Sequence, residues 1–223
     1  MTDSNDPVRE RAHKIAESFL EKGDHYGWFE ALYSEADGDN EQIPWADLVP
    51  NKFLVEWERN SRLSGEGKKA LVIGCGLGDD ANFLADRGFT VTAFDVSETA
   101  IEWAKKLYPS EKIDFLNADL FNAPPEWPRA FDLVLEIYTV QALPLHLRDK
   151  AIATISSFAA PGGEIIVVSR YWTGEGEPEG PPWPLSESDF EKFSANGLHM
   201  DGRMRFDDTE DEIPRVVERF VGD

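Results

Sequence analysis

One cysteine (Cys75), three methionines and four histidines are all that this 223-residue chain holds for disulfide, thioether or imidazole chemistry. A single cysteine cannot close an intrachain disulfide, so a reducing compartment, the cytoplasm, is expected. No run approaches the roughly 18 apolar residues of a membrane span, and no membrane partner is expected. The opening stretch MTDSNDPVRE is polar and acidic, without the apolar core of a secretory signal. Positive charge is scarce: 22 Lys and Arg stand against 43 Asp and Glu, leaving a formal charge of −21. Such a surface repels phosphate, and the scattered basic residues make no patch, so nucleic acid is not an expected partner. The acidity is read as a solubility device. The few His and Cys show no metal-ligand spacing, so no metal is expected.

What is present fits a soluble globule: 41% hydrophobic and 12% aromatic residues, with a length suited to one core. Residues 1–64 read as an N-terminal helical extension and lid, and residues 65–223 as one compact unit. Val8, Ala12, Ile15, Ala16 and Phe19 share a face of a helix over 8–22, which Gly23 stops. Residues 24–50 are aromatic, acidic and irregular, either a packed surface segment or a lid over a pocket. A second helix is expected over 51–63, with Phe53, Leu54 and Trp57 inward.

From residue 69 the pattern alternates. KALVIGC, TVTAFDV, KIDFLNADL, FDLVLEIY and GGEIIVVSRYW read as strands. DANFLADRG, SETAIEWAKKLY and LPLHLRDKAIATISSFAA read as the helices between them, with Ser97 as a cap. Near-continuous apolar strands separated by helices predict an α/β fold: a Rossmann-like parallel sheet flanked by helices. TGEGEPEGPPWP is a loop, and SESDFEKFSAN a helix capped by Ser186 or Ser188. LHMDGRMRF and PRVVERFVGD are expected as antiparallel C-terminal edge strands.

A strand that ends in a glycine loop and feeds a helix makes a ligand site, because glycine lets the backbone approach and helix N–H groups point at the ligand. Glycines fall at 74, 76 and 78, with Cys75 between the first two. The dinucleotide spacing G-x-G-x-x-G would need glycine at 79, which is Asp79. An acidic side chain there repels a pyrophosphate but not a cofactor carrying a sulfonium and an ammonium. This favours S-adenosylmethionine (SAM) over NAD or FAD. Asp95, at the end of TVTAFD with Val96 beside it, can accept two ribose hydroxyls. Asp119-Leu120, after the third strand, suits an adenine amino group. Glu136, in an apolar strand, is expected at the crevice mouth, since elsewhere it would be costly.

ALVIGCGLGDDANFLADRGFTVTAFDVSETAI, NADLF, FDLVLEIY and PGGEIIVVS together resemble the motif series of class I SAM-dependent methyltransferases, over roughly residues 68–170. That family usually has an acidic residue two positions before the first glycine. Val72 stands there, a departure that resembles the thiopurine, thiol and halide methyltransferases and the tellurite-resistance type. Their loops take the form V-P-G-C-G-x-G-x-D-A, which Gly74–Ala81 fits, with Asp80 at the aspartate. Trp28–Tyr33 followed by Pro44-Trp45 is similar to aromatic elements that precede the core in that group. The resemblance implies that Trp28, Tyr33 and Trp45 help close the site, where aromatic faces attract a sulfonium. Val140–Pro144 is similar to the segment after the fourth strand.

The implied activity is methyl transfer to a small-molecule acceptor of thiol, selenide, tellurite or halide type. Small-molecule O- or N-methylation, an NAD(P)-linked oxidoreductase and a non-catalytic SAM-binding protein are the alternatives. A soft nucleophile needs no general base, so no catalytic residue is named. Tyr138 and Arg170, at strand ends, are candidates for substrate contact, and Arg170 could bind an anionic substrate. His146 and Cys75 read as structural, Cys75 as a small packed side chain with no activating partner. A monomer or weak homodimer is expected.

Overall fold

Pro7 opens helix α1 (Pro7–Leu20) at a position where its missing N–H has no partner to lose, and the Asp6 carboxylate caps it by accepting the Val8 N–H at 3.0 Å. The structure is a computed structural model that describes residues 6–209 and 211–222; the polar stretch 1–5 lies outside them. Residues 24–50 are more regular than expected: residues 27–36 form a second helix, α2 (Gly27–Ala36). Trp28, Leu32, Tyr33 and Ala36 recur at helical spacing and are all buried. Burial of that face outweighs the modest helix propensity of the aromatics. The Asp24 carboxylate holds the entry by accepting the Gly27 N–H at 2.8 Å. Helix α3 (Lys52–Ser61) is capped by Asn51, whose side-chain oxygen accepts the N–H groups of Phe53 and Leu54. Leu54 and Trp57 turn inward as expected, and Phe53 packs on Phe206 with ring centroids 4.8 Å apart.

The alternating region then follows: β1 (Lys69–Ile73), α4 (Asp79–Asp86), β2 (Thr90–Asp95), α5 (Glu98–Leu107), β3 (Ile113–Asn117), β4 (Phe131–Ile137), α6 (Arg148–Phe158), β5 (Ala159–Arg170), α7 (Glu187–Ala195), β6 (Leu198–Phe206) and β7 (Arg215–Gly222). The helix expected from residue 143 is shorter. Residues 145–147 after Pro144 make a single 3₁₀ turn, and α6 begins at Arg148. The seven strands lie in the order β3-β2-β1-β4-β5-β7-β6. β1 to β5 pair in parallel; β7 runs antiparallel to β5, and β6 antiparallel to β7. The C-terminal strands therefore extend the sheet antiparallel, with β7 inside it and β6 at the edge.

Residues of β1 divide between two cores. Ala70 and Val72 pack with Leu54, Trp57, Phe83, Leu84 and Ile101, on the α3, α4 and α5 side. Leu71 and Ile73 pack with Ile152, Ile155, Phe190 and Phe193, on the α6 and α7 side. Burial on both faces is why the strand reads as continuously apolar. A third cluster joins α1 and α2 to Leu77 of the glycine loop and Ala100 of α5. Among the described residues no helix is long and apolar enough to cross a membrane. β1 is flanked by β2 on one side and β4 on the other. That reversal of strand order opens a crevice at the carboxyl ends of β1 and β4, where open α/β sheets bind ligands.

Candidate cofactor and acceptor site

Five residues, 74–78, connect β1 to α4. Gly74 and Gly76 take positive φ of +58° and +51°. A Cβ at 74 would lie 2.6 Å from Thr139 Oγ1, and one at 76 would lie 2.9 Å from the Tyr33 hydroxyl. Both glycines are thus fixed by conformation and by the close approach of Thr139 and Tyr33, and the loop backbone forms a cradle that admits no side chain.

Asp95 faces this cradle from the end of β2. One carboxylate oxygen accepts the Gly76 N–H at 2.9 Å and the other the Ser97 N–H at 2.9 Å. A carboxylate has about four acceptor positions, so capacity for two further hydroxyl donors remains. Burial raises its pKa, opposed by the N–H groups of Ser97 and Gly76. Next to it a cleft of about 550 Å³ is lined by Val96, Asn117, Asp119, Asn122 and Pro124, among others. Asn117 shapes its wall by donating to the backbone oxygens of Asp95 and Val96 at 3.1 and 2.8 Å. Asp119 caps its own turn through the Phe121 N–H at 2.9 Å and meets the Tyr26 hydroxyl at 3.4 Å. Leu120 is buried in the core behind it.

The N-terminal segment roofs the loop. Trp28 stacks on Phe29 with centroids 3.8 Å apart, and Trp45 stands edge-on to Trp28, Phe29 and Tyr33 at 6.0–6.2 Å. Trp45 Nε1 donates to the Tyr33 hydroxyl at 2.8 Å. Glu30 fastens α2 down: its carboxylate accepts the Ser97 hydroxyl at 2.7 Å, the Thr99 hydroxyl at 2.5 Å and the Thr99 N–H at 3.1 Å. Glu30 gives no signal in the sequence, because its partners lie 67 and 69 residues away.

Other expected residues sit elsewhere. The Asp80 carboxylate accepts the Asn51 N–H at 2.8 Å and so ties α3 to α4; burial pushes its pKa up to about 7. Glu136 is level with Ile73, the last residue of β1, in the β1–β4 register. It is fully buried and accepts the Thr139 and Val140 N–H groups at 2.7 and 2.9 Å, holding the turn that supports Gly74; burial pushes its pKa to about 7. Both N–H groups meet Oε1, and Oε2 is buried without a partner. Cys75 packs in the loop, and burial pushes its thiol well above the ordinary range. His146 lies in the turn before α6, edge-on to His25 at 4.8 Å.

Tyr138 and Arg170 lie at the carboxyl ends of β4 and β5. Two partners missed in the sequence join them. Arg215 is level with Arg170 in the β5–β7 register. Asp211 accepts from Arg170 at 2.7 Å and from Arg215 at 2.8 Å. Only strand register could have revealed this, since 45 residues separate the arginines in the chain.

A glycine cradle, a buried strand-end carboxylate, a cleft beside Asp119 and an aromatic roof are what a class I SAM-dependent methyltransferase needs to hold its cofactor, and the known proteins that this chain is similar to include methyltransferases. The family model described as a methyltransferase domain matches residues 70–163. Among curated relatives, "Probable thiol methyltransferase 2" of Arabidopsis thaliana is 31% identical over 67% of this chain and 65% of its own length. "Thiopurine S-methyltransferase" of Aliivibrio fischeri is 25% identical over 64% of this chain and 71% of its own. The chain thus spans about two thirds of the length of these relatives. The crystal structure of the N-methyltransferase NodS from Bradyrhizobium japonicum with S-adenosyl-L-homocysteine shares the fold, with a TM-score of 0.66 at 20% identity, covering 86% of this chain and 96% of that one. SAM is the cofactor of that class, and the remaining acceptor capacity of the Asp95 carboxylate fits its ribose hydroxyls.

Proposed function

We propose that the chain transfers a methyl group from SAM to a small-molecule nucleophile of the thiol, selenide, tellurite or halide type. The observation that carries this reading is the aromatic roof, with the Tyr33 hydroxyl seated over Gly76 and Trp28 and Trp45 packed around it. When bound, SAM supplies a methyl carbon on a positively charged sulfur, open to in-line displacement. Asp95 would hold the ribose hydroxyls, Asp119 with Val96 and Leu120 the adenine side, and Gly74, Cys75, Gly76 and Gly78 the cradle. The exposed ring of Trp45 suits a sulfonium, with Trp28 packed beneath the roof against Phe29. The chain's part is to align the acceptor and exclude water. A soft nucleophile then needs no proton removed by the protein. The similarity to a thiol and a thiopurine methyltransferase supports this acceptor class.

Residues 1–64 act in this reading as lid and residues 65–223 as the methyltransferase unit. The chain works in the cytoplasm as a monomer or weak homodimer, without nucleic acid or membrane, in keeping with its charge of −21. Isothermal titration with SAM, S-adenosylhomocysteine (SAH) and NAD tests the cofactor; binding of NAD but not SAM overturns the reading. Release of SAH with thiophenol, selenide and iodide, against catechol and a primary amine, tests the acceptor. Turnover of only the last two would replace it with O- or N-methylation.

A further inference from the structure

Five carboxylates lie around the glycine loop, and among the described residues none of them is in an ion pair. The residues outside the described ones, 1–5, 210 and 223, bring no Lys, Arg or His side chain. Asp95 accepts the Gly76 and Ser97 N–H groups at 2.9 Å each. Glu30 takes the hydroxyls of Ser97 and Thr99. Asp79 and Asp80 open α4 directly after Gly78; Asp79 accepts the Tyr108 hydroxyl at 2.5 Å and Asp80 the Asn51 N–H at 2.8 Å. Glu136 holds the N–H of Thr139, whose side chain abuts Gly74, and its Oε2 is buried with no partner.

Elsewhere the chain does pair its buried acids: Asp189 meets Arg148, and Glu218 meets Arg203. Uncompensated buried charge is costly, and it is retained where an ion of opposite sign can complete it. Burial, and then the charge of Asp79, raise the pKa of Asp80 to about 7; burial, and then Glu30, raise that of Asp95. Burial raises Glu136 to about 7 against its two N–H donors and against Arg148, whose guanidinium is already held by Asp189. Tyr33, Cys75 and Tyr108 stand among the carboxylates with pKa values raised by burial, so they stay neutral. SAM and SAH differ in the one property that such a group can read. SAM carries a sulfonium. When its S–CH₃ bond breaks, the electron pair stays on sulfur and SAH is left with a neutral thioether.

We infer that Asp80, Asp95 and Glu136, with Glu30 and Asp79, are the counter-charge of the cofactor's sulfonium, so that the protein holds SAM in preference to SAH. The inference rests on SAM as the cofactor and holds whatever the acceptor is. A unit charge within about 10 Å of a carboxylate, at an effective dielectric of about 20, changes affinity by about tenfold. The carboxylates thus retain the charged cofactor and let the spent one go.

The test measures Kd for SAM, SAH and sinefungin by isothermal titration at pH 5.5 and 7.5. Sinefungin puts an ammonium where SAM has the sulfonium. At pH 7.5 SAM and sinefungin should each bind about tenfold or more tighter than SAH. At pH 5.5, where Asp80 and Glu136 are protonated, the preference should shrink to about a third of that or less. A cation favours the ionised carboxylates, so at pH 7 SAM should release more protons on binding than SAH does, read from titrations in phosphate and in Tris. Asp80→Asn and Glu136→Gln should each weaken SAM more than SAH, whereas a merely structural loss weakens the two alike. SAM and SAH bound equally at pH 7.5, or a preference that does not change with pH, would overturn the counter-charge and leave SAM as the cofactor. A preference that sinefungin does not share would assign it to the methyl group and overturn it too. Binding of neither SAM nor SAH would sink both. The wild-type comparison decides the question even if a variant fails to fold.

Discussion

Asp95 accepts the Gly76 N–H at 2.9 Å and so joins the exit of β2 to the turn of the glycine loop. The same carboxylate accepts the Ser97 N–H. Asp95→Ala therefore removes an expected ribose ligand and leaves two N–H groups without acceptors, at about 1–3 kcal/mol each. SAH affinity should fall by about a hundredfold or more, with a lower Tm. Asp95→Asn, which keeps one acceptor, should fall between. Titration calorimetry and thermal unfolding read the two effects, and unchanged SAH affinity in the alanine variant removes Asp95 from the site.

Glu30 links the lid helix α2 to the first turn of α5 through Ser97 and Thr99. Burial would raise its pKa, but the hydrogen bonds from Ser97 and Thr99 together hold it below the ordinary value. Glu30→Ala should loosen the roof: SAH affinity drops about tenfold, the equivalent of one charge-assisted bond. Acrylamide should also quench the tryptophan emission of the variant more readily. If neither quenching nor affinity moves, α2 is held by its apolar face alone.

The strands and connecting helices were legible because each has its own periodicity, and Ser97 announced itself as a cap by its place before an amphipathic run. Asp95 was legible because the loop and strand end that make it useful are local in sequence. Helix α2 was missed although Trp28, Leu32, Tyr33 and Ala36 carry helical spacing; aromatic crowding and the acidic residues obscured it. The surroundings of Glu136 were not legible for a different reason. Its partners are the N–H groups of the following turn, and backbone donors leave no mark in a sequence. Arg215 and Asp211 became site residues only when β7 paired with β5 rather than taking the sheet edge.

Arg148 and Asp189 form a buried ion pair at 2.8 Å, with side chains 5% and 6% exposed. Arg148 also donates to the Trp183 and Pro184 carbonyls, which fixes the end of the 173–184 loop against α6 and α7. Asp189→Ala strands a buried guanidinium and should cost about 3–5 kcal/mol. Replacing both by apolar residues, Arg148→Met with Asp189→Leu, should recover much of that loss. Urea unfolding of the single and double variants checks both numbers. A single variant within about 0.5 kcal/mol of the parent would show that water reaches the pair.

Glu136 should make stability fall with rising pH. Burial raises its folded pKa to about 7 from an ordinary 4.5, so between those values the native state binds more protons than the unfolded chain. Its contribution is fully present below about 4.5 and is lost as pH rises through 7. Asp80, raised to about 7 from 3.8, adds a slope of the same sign. Glu136→Gln keeps an oxygen for the Thr139 and Val140 N–H groups but cannot ionise. Relative to the parent, the variant should gain stability steadily between pH 4.5 and 7. The gain is roughly 3 kcal/mol at most, because one proton bound across one pH unit is worth about 1.4 kcal/mol. Any fixed cost of burying the amide N–H₂ offsets the curve without changing its slope. Denaturant titrations at half-unit pH steps give the difference directly, and a difference that is flat across the window would mean that Glu136 ionises at its ordinary pKa in the folded protein.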